Sequence, residues 1–262
     1  MPQITAAQIR QLSLSRSVPD RIADGIVNNQ GFIDQGEINT PLRLCHFMAQ
    51  CAVESAHFTV TLEFASGQAY EGRLDLGNTH PGDGPRFRGR GLIQTTGRAN
   101  YGQARDEIQR MLGNGVAVPD FQQEPQNREL EQFPWALLGG IVYWQRRNIN
   151  RHADRDDVVA VTRAVNGGLN GLAERTRYLA RAKSIWLDAG SPSLSHPVLQ
   201  QGDSGPDVFD VQNALIDAGF RVFADGIFGQ HTDEAVRAFQ AAHGLTVDGI
   251  VGARTWAMLL QG

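Results

Sequence analysis

The chain has 262 residues, 41% of them hydrophobic and 20% charged, with a formal net charge of -4; this suits one large domain plus a small one and offers no apolar run long enough to span a membrane. Residues 1–195 carry 21 Lys+Arg against 20 Asp+Glu, and the remainder 3 against 8, so neither part has the basic surplus that nucleic-acid binding needs. Cys45 and Cys51 fall on different turns of one predicted helix and are not expected to bridge, while seven histidines without HExxH or paired-ligand spacing predict neither a metal site nor a cofactor.

Taken in order, ITAAQIRQLSLS reads as a short amphipathic helix with Thr5 as N-cap and Ile9 and Leu12 on one side. VPDRIADGIVNNQGFID predicts a second helix that the polar NNQG stops. Asn39 or Thr40 then caps a third, with Pro41 in its first turn and Leu44, Phe47, Met48 and Cys51 leading to Glu54. Residues 70–101 read as loop, with Gly at 72, 77, 82, 84, 89, 91 and 97. ANYGQARDEIQRMLG is helical and stops at GNG, and VPDFQQEPQNREL, with two prolines, is a loop. FPWALLGGIVYWQRRNIN is apolar enough to be the buried central helix, with Trp135, Leu138, Ile141, Val142 and Trp144 as core. DRDDVVAVTRAVNGGLNGLAERTRYLARAKSIWLDAG holds two helices around NGGLNG, whose glycines end the first and let backbone approach a ligand.

Gly, Pro and Ser cluster at DAGSPSLSHPV, where the charge balance also changes, so a linker is predicted at 189–198 between a domain of 1–188 and a module of 199–262. In the module DGIFGQHT, at 225–232, returns as DGIVGART, at 248–255, each ahead of a helical run. Leu215, Val236, Phe239, Leu245, Val251, Trp256 and Leu259 are its expected core, and Asp225 and Asp248 are expected to cap and turn rather than to bind. The predicted fold class is mainly α: a helical domain with a glycine-rich loop segment, then a small three-helix module. The N-terminus has no basic region followed by an apolar one, so no secretory signal or membrane insertion is expected, and synthesis is expected in a cytoplasm.

Chemistry is expected between Phe47 and Arg98. Phe47, Cys51, Glu54 and Phe58 share one helical face, which aims Glu54 where a core side chain belongs; a carboxyl desolvated there suits a general acid. Glu63 comes nine residues later in a more polar setting, and two carboxyls in unlike surroundings are the minimum for glycosidic hydrolysis. The competing reading pairs a buried Glu54 with an arginine of RFRGRG as a structural ion pair. Tyr70, Arg73, Asn78, Asp83, Arg86, Arg88, Arg90, Gln94, Thr95, Thr96 and Asn100 make poor core and suitable lining for a sugar cleft. Arg177 is expected to pair with a carboxylate on the catalytic side, and the neighbouring charges of its helix to face solvent. No GxSxG occurs, Cys51 reads as an apolar filler, and GRGLIQTTG lacks the spacing of a phosphate loop.

HFMAQCAVES, YEGRLDLGN, GDGPRFRGRGLIQTTGRANY and VTRAVNGGLNG together resemble glycoside hydrolase family 19, which includes chitinases and endolysins that cleave peptidoglycan, and LGNTHPGDG ahead of FRGRGLIQ is similar to the endolysin branch. The resemblance implies single displacement with inversion, Glu54 as general acid, Glu63 as general base, and Thr96 as the hydroxyl that helps Glu63 hold the attacking water. Gln94, Asn100 and Asn166 match sugar-contacting positions, with Tyr70 and Arg73 counted beside them. Val53 stands where the family usually has His, and Glu71 competes with Glu63 for the role of base. The tail resembles the type 1 peptidoglycan-binding module across nearly its whole length. The two resemblances together imply a phage-type endolysin that cleaves between MurNAc and GlcNAc, has bacterial peptidoglycan as its partner, and reaches the wall from the cytoplasm through a holin; a monomer is the default expectation. Chitinase, a wall-binding protein with a degenerate catalytic domain, and a single-carboxylate lytic transglycosylase stand as alternatives.

Overall fold

The structure is a computed structural model in which residues 3–15, 17–187 and 198–260 are described, so all of the expected linker but Val198 lies outside them. The chain divides into two compact units, 1–189 and 190–262.

In the first unit the helices are α1 (Ala6–Leu12), α2 (Asp20–Asn28), α3 (Gly31–Gln35), α4 (Pro41–Glu54), α5 (Asp83–Arg86), α6 (Arg98–Leu112), α7 (Trp135–Arg146), α8 (Asn150–Ala153), α9 (Val158–Asn166) and α10 (Leu172–Trp186). The N-caps agree with the sequence. Thr5 and Gln8 form a reciprocal capping box on α1, and the Thr40 hydroxyl accepts the Arg43 N–H at 3.2 Å with Pro41 at the start of α4. NNQG ends α2 as expected, at Asn28, but a further short helix, α3, starts directly after it at Gly31. The Asn29 side chain donates to the Gly25 carbonyl at 2.8 Å and that of Gln30 to Val27 at 2.9 Å, which satisfies the end of α2 and lets α3 restart two residues later.

Every residue from Leu44 to Ala52 is buried, so α4 is enclosed on all sides rather than amphipathic, and it packs chiefly along α10. α7 is the second enclosed helix. Its Leu137, Ile141 and Trp144 join the main core with Phe47, while Leu138 and Val142 face a smaller core of Phe87, Tyr101, Ile108, Phe121 and Leu130. That smaller core lies under the glycine-rich segment, which holds no regular strand; its pairing is limited to the isolated bridges Leu62 with Arg90 and Arg90 with Thr95. Both cysteines are buried and unbridged. Among the described residues no helix is long and apolar enough to cross a membrane.

The second unit has α11 (Pro206–Asp217), α12 (Gln230–Ala242) and α13 (Ala253–Leu259) around Val208, Val211, Leu215, Phe228, Val236, Phe239, Val251, Trp256 and Leu259; Leu245 is only partly buried against them. The sequence repeat is a structural one. Buried Gln212 donates to the Asp225 carboxylate at 2.8 Å and to the Thr232 hydroxyl at 3.0 Å, and accepts from the Gly226 N–H at 2.8 Å. Buried Gln240 repeats this with Asp248 (2.8 Å), Thr255 (3.3 Å) and the Gly249 N–H (2.9 Å). Asp225 and Asp248 also accept the N–H two residues on, each at 2.9 Å, the local hydrogen bond that makes an Asp turn.

Candidate active site

Glu54 is the last residue of α4, and its partner is on α10 rather than in RFRGRG. Arg175 Nη2 donates to Glu54 Oε1 at 2.6 Å; Arg175 Nη1 bonds Gln50 Oε1 on the preceding turn of α4, and its Nε donates to the Asn170 carbonyl at 3.1 Å. The Arg175 side chain is 3% exposed and that of Glu54 18%. The buried cation thus fixes one oxygen of the Glu54 carboxylate, while among the described residues Oε2 has no hydrogen-bond partner. This corrects the expectation that the charges around Arg177 face solvent. Arg175 lies three and four residues before Tyr178 and Leu179, on the buried face of α10, and that periodicity is the sequence signal for it.

The chain leaves Glu54 through Ala56, His57 and Phe58, three consecutive residues with φ of 47°, 64° and 61°. Positive φ in non-glycine residues costs roughly 1–3 kcal/mol each, and the surroundings hold the turn. The His57 N–H donates to Ala52 at 2.7 Å, Ser13 Oγ donates to the His57 carbonyl at 2.7 Å, and His57 Nδ1 lies 2.6 Å from the Tyr178 hydroxyl. Phe58 is fully buried. Cys51 cannot serve as a nucleophile here, because burial, with a smaller contribution from the Glu54 charge, pushes its thiol well up.

The turn delivers the chain to Glu63, whose N–H donates to the Gly89 carbonyl at 2.9 Å while the Gly91 N–H donates to Thr61 at 2.8 Å. Both carboxylate oxygens of Glu63 are held: Oε1 accepts the Tyr70 hydroxyl at 2.8 Å and Oε2 the Gly89 N–H at 2.9 Å. Burial, then the hydrogen bond to Glu63 and its charge, push the Tyr70 phenol up to about 12, so it stays a donor at neutral pH. Glu71 is occupied otherwise. Its two oxygens accept the Gly82 and Gly84 N–H groups at 2.7 and 2.8 Å, closing the glycine-rich loop on itself. Arg73, half exposed, forks onto Asp75 at 2.7 Å.

A cavity of about 340 Å³ is lined by Gln94, Thr96, Asn100, Asn166 and Tyr143, among others. It brings together four of the expected site residues. Thr96 Oγ1 donates to the Gln94 carbonyl at 3.2 Å, Asn100 to the Thr96 carbonyl at 2.7 Å, and Gln94 Nε2 to Gly91 at 2.8 Å, leaving a buried Gln94 Oε1 without a partner. Neither Glu54 nor Glu63 lines this cavity, but neighbours of each do. Gly89, which holds Glu63, packs against Gln94, and the Tyr143 phenol, raised mainly by burial, also feels the charges of Glu54 and Arg175. Tyr70 reaches the site through Glu63 and Arg73 does not. Tyr143 looks in the sequence like one more residue of a core helix, yet its hydroxyl bonds the Val165 carbonyl at 2.8 Å beside Asn166. Among the described residues no group of three or more His, Cys, Asp or Glu side chains is placed to hold a metal ion.

Residues 204–259 match the family model described as putative peptidoglycan binding domain. A glycosyl hydrolase family 19 domain-containing protein of Haemophilus influenzae is 35% identical over 115 residues, which cover 44% of this chain and 50% of that protein. The spore cortex-lytic enzyme of Bacillus cereus is 44% identical over 70 residues, 26% of this chain and 27% of its own. Among solved structures, a family 19, class IV chitinase from Zea mays has a TM-score of 0.49 at 18% identity, covering 74% of this chain and 96% of that one. The chain spans half or less of the length of these two curated relatives.

Proposed function

We propose, from the premise that this chain joins a family 19 glycoside hydrolase domain to a C-terminal peptidoglycan-binding domain, that it is a peptidoglycan hydrolase of the endolysin kind, cleaving the β-1,4 bond between MurNAc and GlcNAc with inversion. The observation that carries the reading is the contrast between the two carboxylates. Glu54 ends an enclosed helix with one oxygen oriented by Arg175 and the other unpartnered, which leaves that second oxygen to meet the leaving oxygen. Glu63 is gripped at both oxygens next to Gln94, where a general base must orient a water. Thr96 stands in the adjoining cavity to share that water, and Gln94, Asn100 and Asn166 to bind sugar. Glu71 is a poor rival, since removing its carboxylate would release the loop.

In this reading the tail keeps the enzyme at an insoluble substrate and raises the effective glycan concentration. The test is digestion of purified peptidoglycan and of glycol chitin by wild type and Glu54→Gln, with mass spectrometry of the fragments. Muropeptides ending in reducing MurNAc, from wild type only, are expected. Chitin fragments alone would make the protein a chitinase, 1,6-anhydro ends a transglycosylase, and no product from either substrate a wall-binding protein without hydrolytic activity.

A further inference from the structure

The first unit has a second cavity, of about 530 Å³, which the hydrolytic reading does not use and which is lined by charge: Arg86, Arg88, Arg90 and Arg128 against Glu124 and Glu131. Arg90 is committed to the fold. It is nearly buried, and its guanidinium is divided among Glu131 at 2.6 Å, the Arg86 carbonyl at 2.7 Å and the Tyr101 hydroxyl at 2.6 Å. Arg86 is only loosely paired, 3.5 Å from Glu124 and 3.9 Å from Asp83. Arg88 and Arg128 are less engaged still. The Arg88 side chain makes one hydrogen bond, to the Ala65 carbonyl at 3.3 Å, and its Nε is buried without a partner. Exposed Arg128 has no side-chain partner among the described residues. A guanidinium carries five donors in a planar fork that matches a carboxylate, so two cations with most of their donors open make this cavity receptive to carboxylates.

Its place says which carboxylates. Leu62 lines the cavity and is bridged to Arg90, so the cavity begins one residue from Glu63 and one from Gly89. Successive side chains of an extended stretch face opposite ways, so the cavity is reached around the strip that carries the base rather than by the sugar ring at Glu63. The occupant must therefore be an acidic arm attached to the glycan and a few residues long; four extended residues span up to about 14 Å. We propose that this cavity binds the free carboxylates of the peptide arm carried by MurNAc, making Arg88 and Arg128 determinants of selectivity for peptide-bearing glycan over neutral glycans such as chitin. The proposal rests on the hydrolase reading.

The experiment compares two substrates: peptidoglycan stripped of attached anionic polymers, and the same glycan after an amidase has removed its peptide arms. The full chain is used as wild type, Arg128→Gln, Arg128→Glu and Arg88→Gln, with thermal melts as a check on folding. Arg128 is exposed, so its variants should melt as wild type does. The ratio of kcat/KM on peptide-bearing to stripped glycan should fall about tenfold in Arg128→Gln, as for loss of one charge-assisted hydrogen bond, further in Arg128→Glu, and through KM. An unchanged ratio in every variant would overturn the proposal, as would an equal loss of kcat/KM on both glycans. Failure of wild type to cleave either glycan would instead overturn the hydrolase reading, and the proposal with it.

Discussion

Gly89 is the residue on which the proposed base depends most directly, since it lends its N–H to Glu63 and has no side chain to press on it. A Cβ there would lie 2.5 Å from Gln94 Oε1 and 3.1 Å from Glu63 Oε2. Both neighbours are ends of flexible side chains, so Gly89→Ala should leave the thermal midpoint within a few degrees while lowering kcat on soluble glycan by about a hundredfold, the scale on which misplaced catalytic groups act. Tyr70→Phe removes one donor from the same carboxylate. About a tenfold fall in kcat with little change in KM is expected, and an equal fall in Glu71→Gln without loss of stability would show that the base had been misassigned.

At the level of elements, the loop from Tyr70 to Asn100 is built from polar clips in place of an apolar interior of its own. Asp83 is fully buried and forks onto Arg98 at 2.6 and 2.9 Å, and Arg98 lies over the Phe87 ring at 4.6 Å. The Arg98 hydrogen bonds hold the Asp83 carboxyl down to about 2, against 3.8 ordinarily. Because the folded value is the lower one, this pair stabilises fully above pH 4 and is lost as pH falls toward 2, by roughly 2 kcal/mol. Thermal midpoints between pH 6 and pH 2 should therefore drop more steeply for wild type than for Asp83→Asn, which starts lower. The long helices are legible in the sequence because Thr40, Pro41, the Gly113 stop and the apolar stretch of α7 act locally. Such clips are not, since Glu71 on Gly82 and Gly84 and Asn78 on Tyr70 depend on tertiary approach. The left-handed run at 56–58 has no glycine to announce it. Glu54 and Glu63 stand out by position and motif. Arg175 is visible in the period of α10, but periodicity says only that the position is buried, and a charge there points to the surface until its partner on α4 is known.

Across the whole molecule, all four tyrosines have phenols raised above their ordinary range, in each case first by burial. A raised phenol stabilises the fold fully below the unfolded value near pH 10 and loses that contribution as pH rises through the folded one. Native protein should show its tyrosinate absorbance at higher pH than the chain in denaturant, which titrates near 10; a native midpoint equal to the denatured one would contradict the raised phenols. The two carboxylates proposed as catalytic also sit on supports of different kinds. Glu54 rides on α4, enclosed along its length, and Glu63 on a segment joined by a few backbone hydrogen bonds to a loop of polar clips. Those bonds should open before the enclosed helices in mild denaturant, so turnover should disappear at urea concentrations where circular dichroism still reports every helix. The site then behaves as a fuse: the enzyme falls silent while its scaffold stands, and diluting the urea restores it at the speed of a closing loop rather than of a refolding chain.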